Sequence, residues 1–261
     1  MVTYVGSTIR VVEPSPELVK WCKTHLTLPN PDFYKKEKMG IWTGGTPETI
    51  SLWRMGRTEP SHLPMLEVPF GVFREIQRML DVVNVVFRPE AVVNYGAHIP
   101  LYDYQQKAVD EAFKARYGIL QAPAGCGKTQ MGLALIQKYG HKALWLTHTK
   151  DLLNQSKERA ERYMDKSLMG TITEGKVDIG KGITFATVQT MSRMELREYR
   201  DTFGVIICDE CHRVCCSANG VAMFEKVLNS LSCGHKYGLS ATVHRADGLI
   251  RATFALIGRV V

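Results

Sequence analysis

Apolar residues along this chain fall into short runs, and their spacing changes character near residue 96. Before that point, alternation in "STIRVV" and the apolar runs "LPMLEV" and "VVNVVF" predict strands. "SPELVKWCKTHL" and "GVFREIQRML" carry apolar residues at helical spacing. Ser15 suits the N-cap of the first of these helices, with Glu17 in its first turn. The segments are punctuated by "PNP", "TGGTPET" and "VPFG", and three of the four tryptophans lie among them. The pattern predicts a small α+β domain over residues 1–95, with "VNYGAHIP" as the linker that follows it.

From residue 96 to 261 the rhythm is different. The β-rich runs "YGILQAP", "KALWLTH", "GITFATV", "FGVIICDE" and "HKYGLSAT" alternate with helical patterns such as "TQMGLALIQKY", "DLLNQSKERAERYM" and "VAMFEKVLNSL". Strands alternating with helices of that length predict an α/β fold, a parallel sheet with helices on both faces. Such sheets bind ligands beyond the carboxyl ends of their strands. The polar motifs of this half fall just after predicted strands, where chemistry belongs.

Composition narrows the picture only a little. Of 261 residues, 33 are basic and 26 acidic, a net charge of +7 that favours a polyanionic partner such as nucleic acid. No run of about 18 apolar residues exists to span a membrane. The start, "MVTYVGSTIRVVEPSPE", lacks the pattern of a signal peptide, so the seven cysteines read as reduced thiols. The expectation is an intracellular protein, cytoplasmic in a bacterial or phage-infected cell.

"APAGCGKT", residues 122–129, lies between a predicted strand and a predicted helix. It fits the phosphate-loop pattern G-x-x-x-x-G-K-[ST], except that Ala122 replaces the first glycine. Gly125 and Gly127 let the backbone curl so that the amides of the Ala124–Thr129 stretch, Cys126 included, point at phosphate oxygens. The helix that follows adds its positive end. Lys128 is placed for the β- and γ-phosphates of ATP and Thr129 for Mg²⁺.

"GVIICDECHRVCC", residues 204–216, invites two readings. As part of a nucleotide hydrolase, Asp209 on a neighbouring strand end completes the Mg²⁺ site with Thr129, and Glu210 orients or deprotonates the attacking water. As a zinc site, Cys208, Cys211, His212, Cys215 and Cys216 supply donors, with Cys233 and His235 to complete a set. Cys208 and Cys211 flank the carboxylates, however, and a partner C-x-x-C is missing. The first reading is preferred because the phosphate loop stands upstream.

A phosphate loop followed by D-E-C-H resembles the superfamily 2 helicases, and further pieces of that pattern occur in order. "LYDYQQKAVD" resembles the adenine-reading segment, with Gln105 as reader and Asp103 where the family usually has Arg. "LTHTKDLLNQ" and "FATVQTM" resemble segments that touch one nucleic-acid strand in the family, which implies DNA contacts from Thr149, Gln155, Thr187 and Gln189. "LSATVHRADG" resembles the segment that couples hydrolysis to strand movement, implying that role for Ser240 and Thr242, with His212 bridging to it. Arg245 and Asp247 match the outer residues of the R-E-D motif of the branch typified by XPB and UvsW. The resemblance implies a RecA-like lobe over 96–261, ATP and Mg²⁺ as ligands, and DNA (duplex, fork or junction) as track.

The alternatives are plain ones. Thr149 can simply cap a helix, Gln155 can be a solvated helix residue, and Lys35, Lys36 and Lys38 beside Phe33, Tyr34 and Trp42 can be a solvated loop or a nucleic-acid surface. Motors of this superfamily use two RecA-like lobes. Here "LIGRVV" falls where the first should end, so a second lobe is expected in cis or in trans. The rival expectation is a non-catalytic DNA- or partner-binding protein whose ATP site turns over little.

Overall fold

The computed structural model describes residues 1–87, 92–214, 217–243 and 248–261. Its first part contains β1 (Val2–Val5), β2 (Thr8–Val12), α1 (Pro16–His25), β3 (Thr27–Pro29), α2 (Pro31–Lys38) and β4 (Thr49–Ser51). β5 (Arg54–Arg57), β6 (Pro64–Pro69), α3 (Phe73–Ile76) and β7 (Val82–Val85) follow. Five of the strands form a sheet in the order β5-β6-β2-β1-β7, and β3 pairs with β4. The period-2 pattern sets its inner face: Ile9, Val11, Leu66 and Val68 are buried, as are Leu18 and Cys22, which lie four apart on α1. The Leu18 amide donates to Ser15 Oγ (3.2 Å), the cap expected from the sequence.

"GVFREIQRML" is not one helix. It is a 3₁₀ turn at Phe70–Val72, the single turn α3, and a second 3₁₀ turn at Gln77–Met79. The cause lies at Gly71, where a Cβ would stand 2.6 Å from both the Ala255 carbonyl oxygen and the Gly258 nitrogen. This backbone is pressed directly against the helix at the end of the chain, and the turn tightens to fit.

The second part comprises α4 (Asp103–Ala115), β8 (Gly118–Gln121), α5 (Lys128–Tyr139), β9 (Ala143–Thr147), α6 (Lys150–Ala160), β10 (Met169–Thr173) and β11 (Lys176–Val177). Next come β12 (Ile183–Thr187), α7 (Val188–Arg193), β13 (Val205–Cys208), α8 (Cys211–Val214), α9 (Ala218–Ser230), β14 (His235–Ser240) and α10 (Ile250–Ile257). The sheet order is β11-β10-β12-β9-β13-β14-β8, parallel except for β11 at one edge. Alternate residues of each strand enter two separate cores. Trp145, Phe185, Ile207 and Tyr237 face α4, α5 and α6, whereas Leu144, Leu146, Ile206 and Cys208 face α9 and α10. This is the α/β fold with flanking helices expected for a RecA-like lobe. Among the described residues no helix is long and apolar enough to cross a membrane.

The second of these cores continues without a break into the buried residues of the N-terminal sheet. An ion pair and a hydrogen bond join the parts at α9: Arg54 pairs with Glu225 (3.0 Å), and Asp32 accepts from the Ala218 amide (3.2 Å). The linker is packed down too. Tyr95 is buried, its hydroxyl 2.7 Å from the His141 carbonyl and 2.9 Å from that of Gly182.

Lys236 of β14 is the most costly of these contacts. It is fully buried and donates to the carbonyls of Ser7 (3.0 Å) and Leu228 (2.8 Å). Burial pushes its ammonium down from 10.5 to about 8. The unfolded chain therefore binds more protons between those two values, and stability rises with pH across that window. Relative to Lys236→Met, the wild type is expected to gain on the order of 3 kcal/mol between pH 8 and 10.5 in denaturant titrations. Parallel pH dependence of the two proteins would contradict this account of the buried charge.

Candidate nucleotide site

β8 delivers the chain to the loop 122–127, and two residues set its curl: Gly125 (φ 83°) and Gly127 (φ 78°) are left-handed. Lys128 and Thr129, in the first turn of α5, are buried. Gln105, in the first turn of α4, is buried as well. Its amide donates to the Cys126 carbonyl (2.9 Å) and its oxygen accepts from the Tyr102 amide (2.9 Å). The packing is close enough that a Cβ on Gly127 would lie 2.4 Å from the Gln105 amide nitrogen. The adenine-reader candidate is thus docked on the phosphate loop.

Asp209 continues β13 by one residue, its amide donating to the Leu146 carbonyl (2.8 Å). Its carboxylate accepts from Ser156 Oγ (3.1 Å) and from the Glu210 amide (3.0 Å). Burial pushes this carboxyl up from the usual range, against the opposing effect of the Ser156 hydrogen bond. Glu210 has φ 46°, a left-handed conformation that costs a side-chain-bearing residue about 1 kcal/mol or more. Its carboxylate stands 3.8 Å from Lys128 Nζ and 3.4 Å from His212 Nδ1.

His212 Nδ1 is also 2.9 Å from Ser240 Oγ. The Ser240 hydroxyl donates to the Thr242 carbonyl, so it must accept from His212, which assigns the ring proton to Nδ1. The D-E-C-H segment and the S-A-T segment are joined by this bond. Arg245 and Asp247 lie outside the described residues.

Phosphate loop, Asp209 and Glu210 enclose a cavity of about 460 Å³ whose remaining wall is one face of α6. Leu152, Gln155, Ser156 and Arg159 line it at spacings of three and four, with Arg162 one turn beyond. Arg159 Nη1 donates to Thr129 Oγ1 (3.2 Å). Ser156 and Arg159 did not emerge from the motifs. The signal that would find them is the periodicity of "LLNQSKERAERY", once α6 is known to flank α5. The wall residues suit a polyanion: Lys128, Arg159 and Arg162 are cations. Asp209 and Thr129 offer the oxygen donors that Mg²⁺ takes, and a buried carboxylate resisting ionisation is one that a cation would relieve.

The other candidates divide between two places. Thr149 caps α6, accepting from the Leu152 amide (3.3 Å), and is exposed. Thr187 caps α7, accepting from the Thr190 amide (3.2 Å), with Gln189 half-buried in the next turn. Both caps stand at the carboxyl ends of the adjacent strands β9 and β12. Gln155 instead opens onto the nucleotide cavity. Among the described residues no three of the Cys, His, Asp and Glu side chains gather into a metal cage. Cys208, Cys211 and Cys233 sit in the core, and Cys215 and Cys216 lie outside the described residues.

A strand-loop-helix cradle with an acidic pair on the second strand over defines a phosphate-loop nucleotide-binding unit of RecA type. Residues 98–245 match the family described as "Type III restriction enzyme, res subunit", and the chain belongs to that family. It is 33% identical over 163 residues to the DNA 3'-5' translocase XPB2 of Sulfurisphaera tokodaii, covering 62% of this chain and 35% of that protein. To the DNA 3'-5' helicase XPB of Mycobacterium tuberculosis it is 29% identical over 167 residues, covering 60% and 29%. The chain thus spans about a third of the length of the curated relatives it matches. Among solved structures, the UvsW helicase of bacteriophage T4 superposes with a TM-score of 0.67 at 18% identity, over 100% of this chain and 99% of that one. That likeness extends the shared fold to the N-terminal sheet. In sequence the chain is similar to the XPB helicases and translocases, and in fold to UvsW.

Asp209 is buried beside a second carboxylate, and its charge burdens the empty fold. Asp209→Asn keeps the Glu210 amide bond at Oδ1 and holds Ser156 with the bond reversed, Nδ2 donating to Oγ, and is expected to stabilise the nucleotide-free protein at pH 7 by on the order of 1 kcal/mol. Thermal melts check this, with an unchanged or lowered midpoint as the contrary result.

Proposed function

We propose that this chain is the N-terminal part of an ATP-dependent superfamily 2 DNA helicase or translocase. In this reading residues 1–95 are a DNA-binding domain and residues 96–261 the first RecA-like lobe. The single observation that carries it is the convergence of Lys128, Thr129, Asp209 and Glu210 on one cavity, with His212 behind Glu210 (3.4 Å) and bonded onward to Ser240. The loop amides at 124–129 hold the phosphates and Lys128 reaches the β- and γ-oxygens. Thr129 and Asp209 would hold Mg²⁺, which when bound would supply positive charge against that of the phosphates. Glu210 takes the proton of the attacking water. Its shift from Lys128 and His212 toward that water is felt at Ser240 through the His212 ring, which supports the coupling role of Ser240 and Thr242.

DNA would cross the caps Thr149 and Thr187, with Gln189 beside them, and Gln155 between this track and the nucleotide. Arg245 and Asp247 complete the coupling segment in this reading. The N-terminal domain's share is supported by Trp42, which is 82% exposed and follows Lys35, Lys36 and Lys38 closely in the chain. A second RecA-like lobe is the expected partner, and an intracellular setting follows from a DNA track.

ATP hydrolysis with and without duplex and forked DNA, beside Lys128→Ala, tests the proposal. Loss of ATP binding in Lys128→Ala with an unchanged melting profile is expected, and DNA-stimulated turnover in the wild type once a second lobe is present. Unchanged ATP affinity in Lys128→Ala would overturn the site. DNA binding without turnover, even with a second lobe supplied, would favour a binding protein with a silent ATP site.

A further inference from the structure

Arg159 donates to the one hydroxyl, Thr129 Oγ1, that the proposed Mg²⁺ would need. A cation bound there at about 2.1 Å cannot share the oxygen with a guanidinium. The two positive groups repel, and Thr129 must turn its lone pair to the metal. Arg159 is therefore displaced when Mg·nucleotide enters.

Its destination is narrow. The backbone that carries it is fixed, since Leu153, Ser156 and Ala160 of α6 are buried and Ser156 is tied to Asp209. The guanidinium pivots from this fixed anchor at the cavity wall. The anions that arrive there are phosphate oxygens around the metal. Ser156 lies one turn before Arg159 on the same helix face, and it marks the Asp209–Glu210 side of the cavity, the end at which the terminal phosphate sits in the proposed reading. Phosphate is also the group that a guanidinium binds with parallel N–H donors.

We propose that Arg159 is a γ-phosphate contact supplied from within this lobe, exchanging its bond to Thr129 for the terminal phosphate when Mg·ATP binds. It makes the site discriminate triphosphate from diphosphate before any residue from a second lobe arrives. Arg162, further along the same wall, adds to the general positive field and holds no bond to Thr129. The inference rests on the nucleotide-site reading above.

The test is calorimetric or fluorescence titration of Mg·ATP and Mg·ADP into the 261-residue chain, its Arg159→Ala and Arg159→Gln variants, and Lys128→Ala. Arg159 is exposed on the cavity wall, so both substitutions spare the core. Either Arg159 variant is expected to weaken Mg·ATP about 10- to 100-fold while leaving Mg·ADP within about twofold. Lys128→Ala is expected to weaken both. Equal effects of the Arg159 variants on the two nucleotides, or none on either, would overturn the γ-phosphate role while leaving the site itself standing. Unchanged binding of both nucleotides by Lys128→Ala would instead remove the underlying reading and the role with it.

Discussion

Strand β14 is hydrogen-bonded to β13 on one side and to β8 on the other, and the whole site depends on that register. Cys208 stands opposite Gly238, and Ser240 opposite Gln121, so β8 and β14 end together and β13 ends two residues earlier. The Ala122 amide then donates to the Ser240 carbonyl (3.0 Å), which starts the phosphate loop from the same line. A register slip of one residue would turn Ser240 to the other face of the sheet and break its bond to His212. Gly238 permits the fit, because a Cβ there would lie 2.6 Å from Cys211 Sγ. The cysteines that made the D-E-C-H stretch look like a metal site are, at 208 and 211, packing atoms behind the carboxylates.

The same strand carries the second constraint. Lys236, two residues before Gly238, spends its buried charge on a carbonyl of the N-terminal part and one of α9. Together with the close approach of Gly71 to α10, this holds the small sheet against the face of the parallel sheet opposite α5 and α6. The proposed nucleotide cavity lies toward α5 and α6, and the N-terminal sheet is joined to β14 and α9 on the far side. Events at Ser240 are thus one strand away from the region proposed to grip DNA.

What the sequence disclosed follows how local each signal is. The phosphate loop and the acidic pair are read from contiguous residues flanked by a strand and a helix, and their elements stand where the pattern put them. Ser15 is a local cap and was equally legible. Ser156 and Arg159 were not, because their meaning comes from α6 lying beside α5, a tertiary fact with no contiguous motif. "GVFREIQRML" misleads for the same reason: its helical spacing is real, but contact with α10 breaks it into shorter turns. The edge strand β11, its neighbour β10 and the short strands β3 to β5 carry too little periodicity to stand out. The roles of Thr149 and Thr187 stay divided by chemistry, since a capping hydroxyl and a strand-contacting one occupy the same position.

A crystal structure of the chain with Mg²⁺ and a non-hydrolysable ATP analogue tests the central claim most directly. The account predicts the triphosphate on the 124–129 amides, with the metal between Thr129 Oγ1 and the Asp209 carboxylate and Glu210 turned toward the terminal phosphate. A nucleotide bound elsewhere, or a metal held by the cysteines and His212, would contradict it.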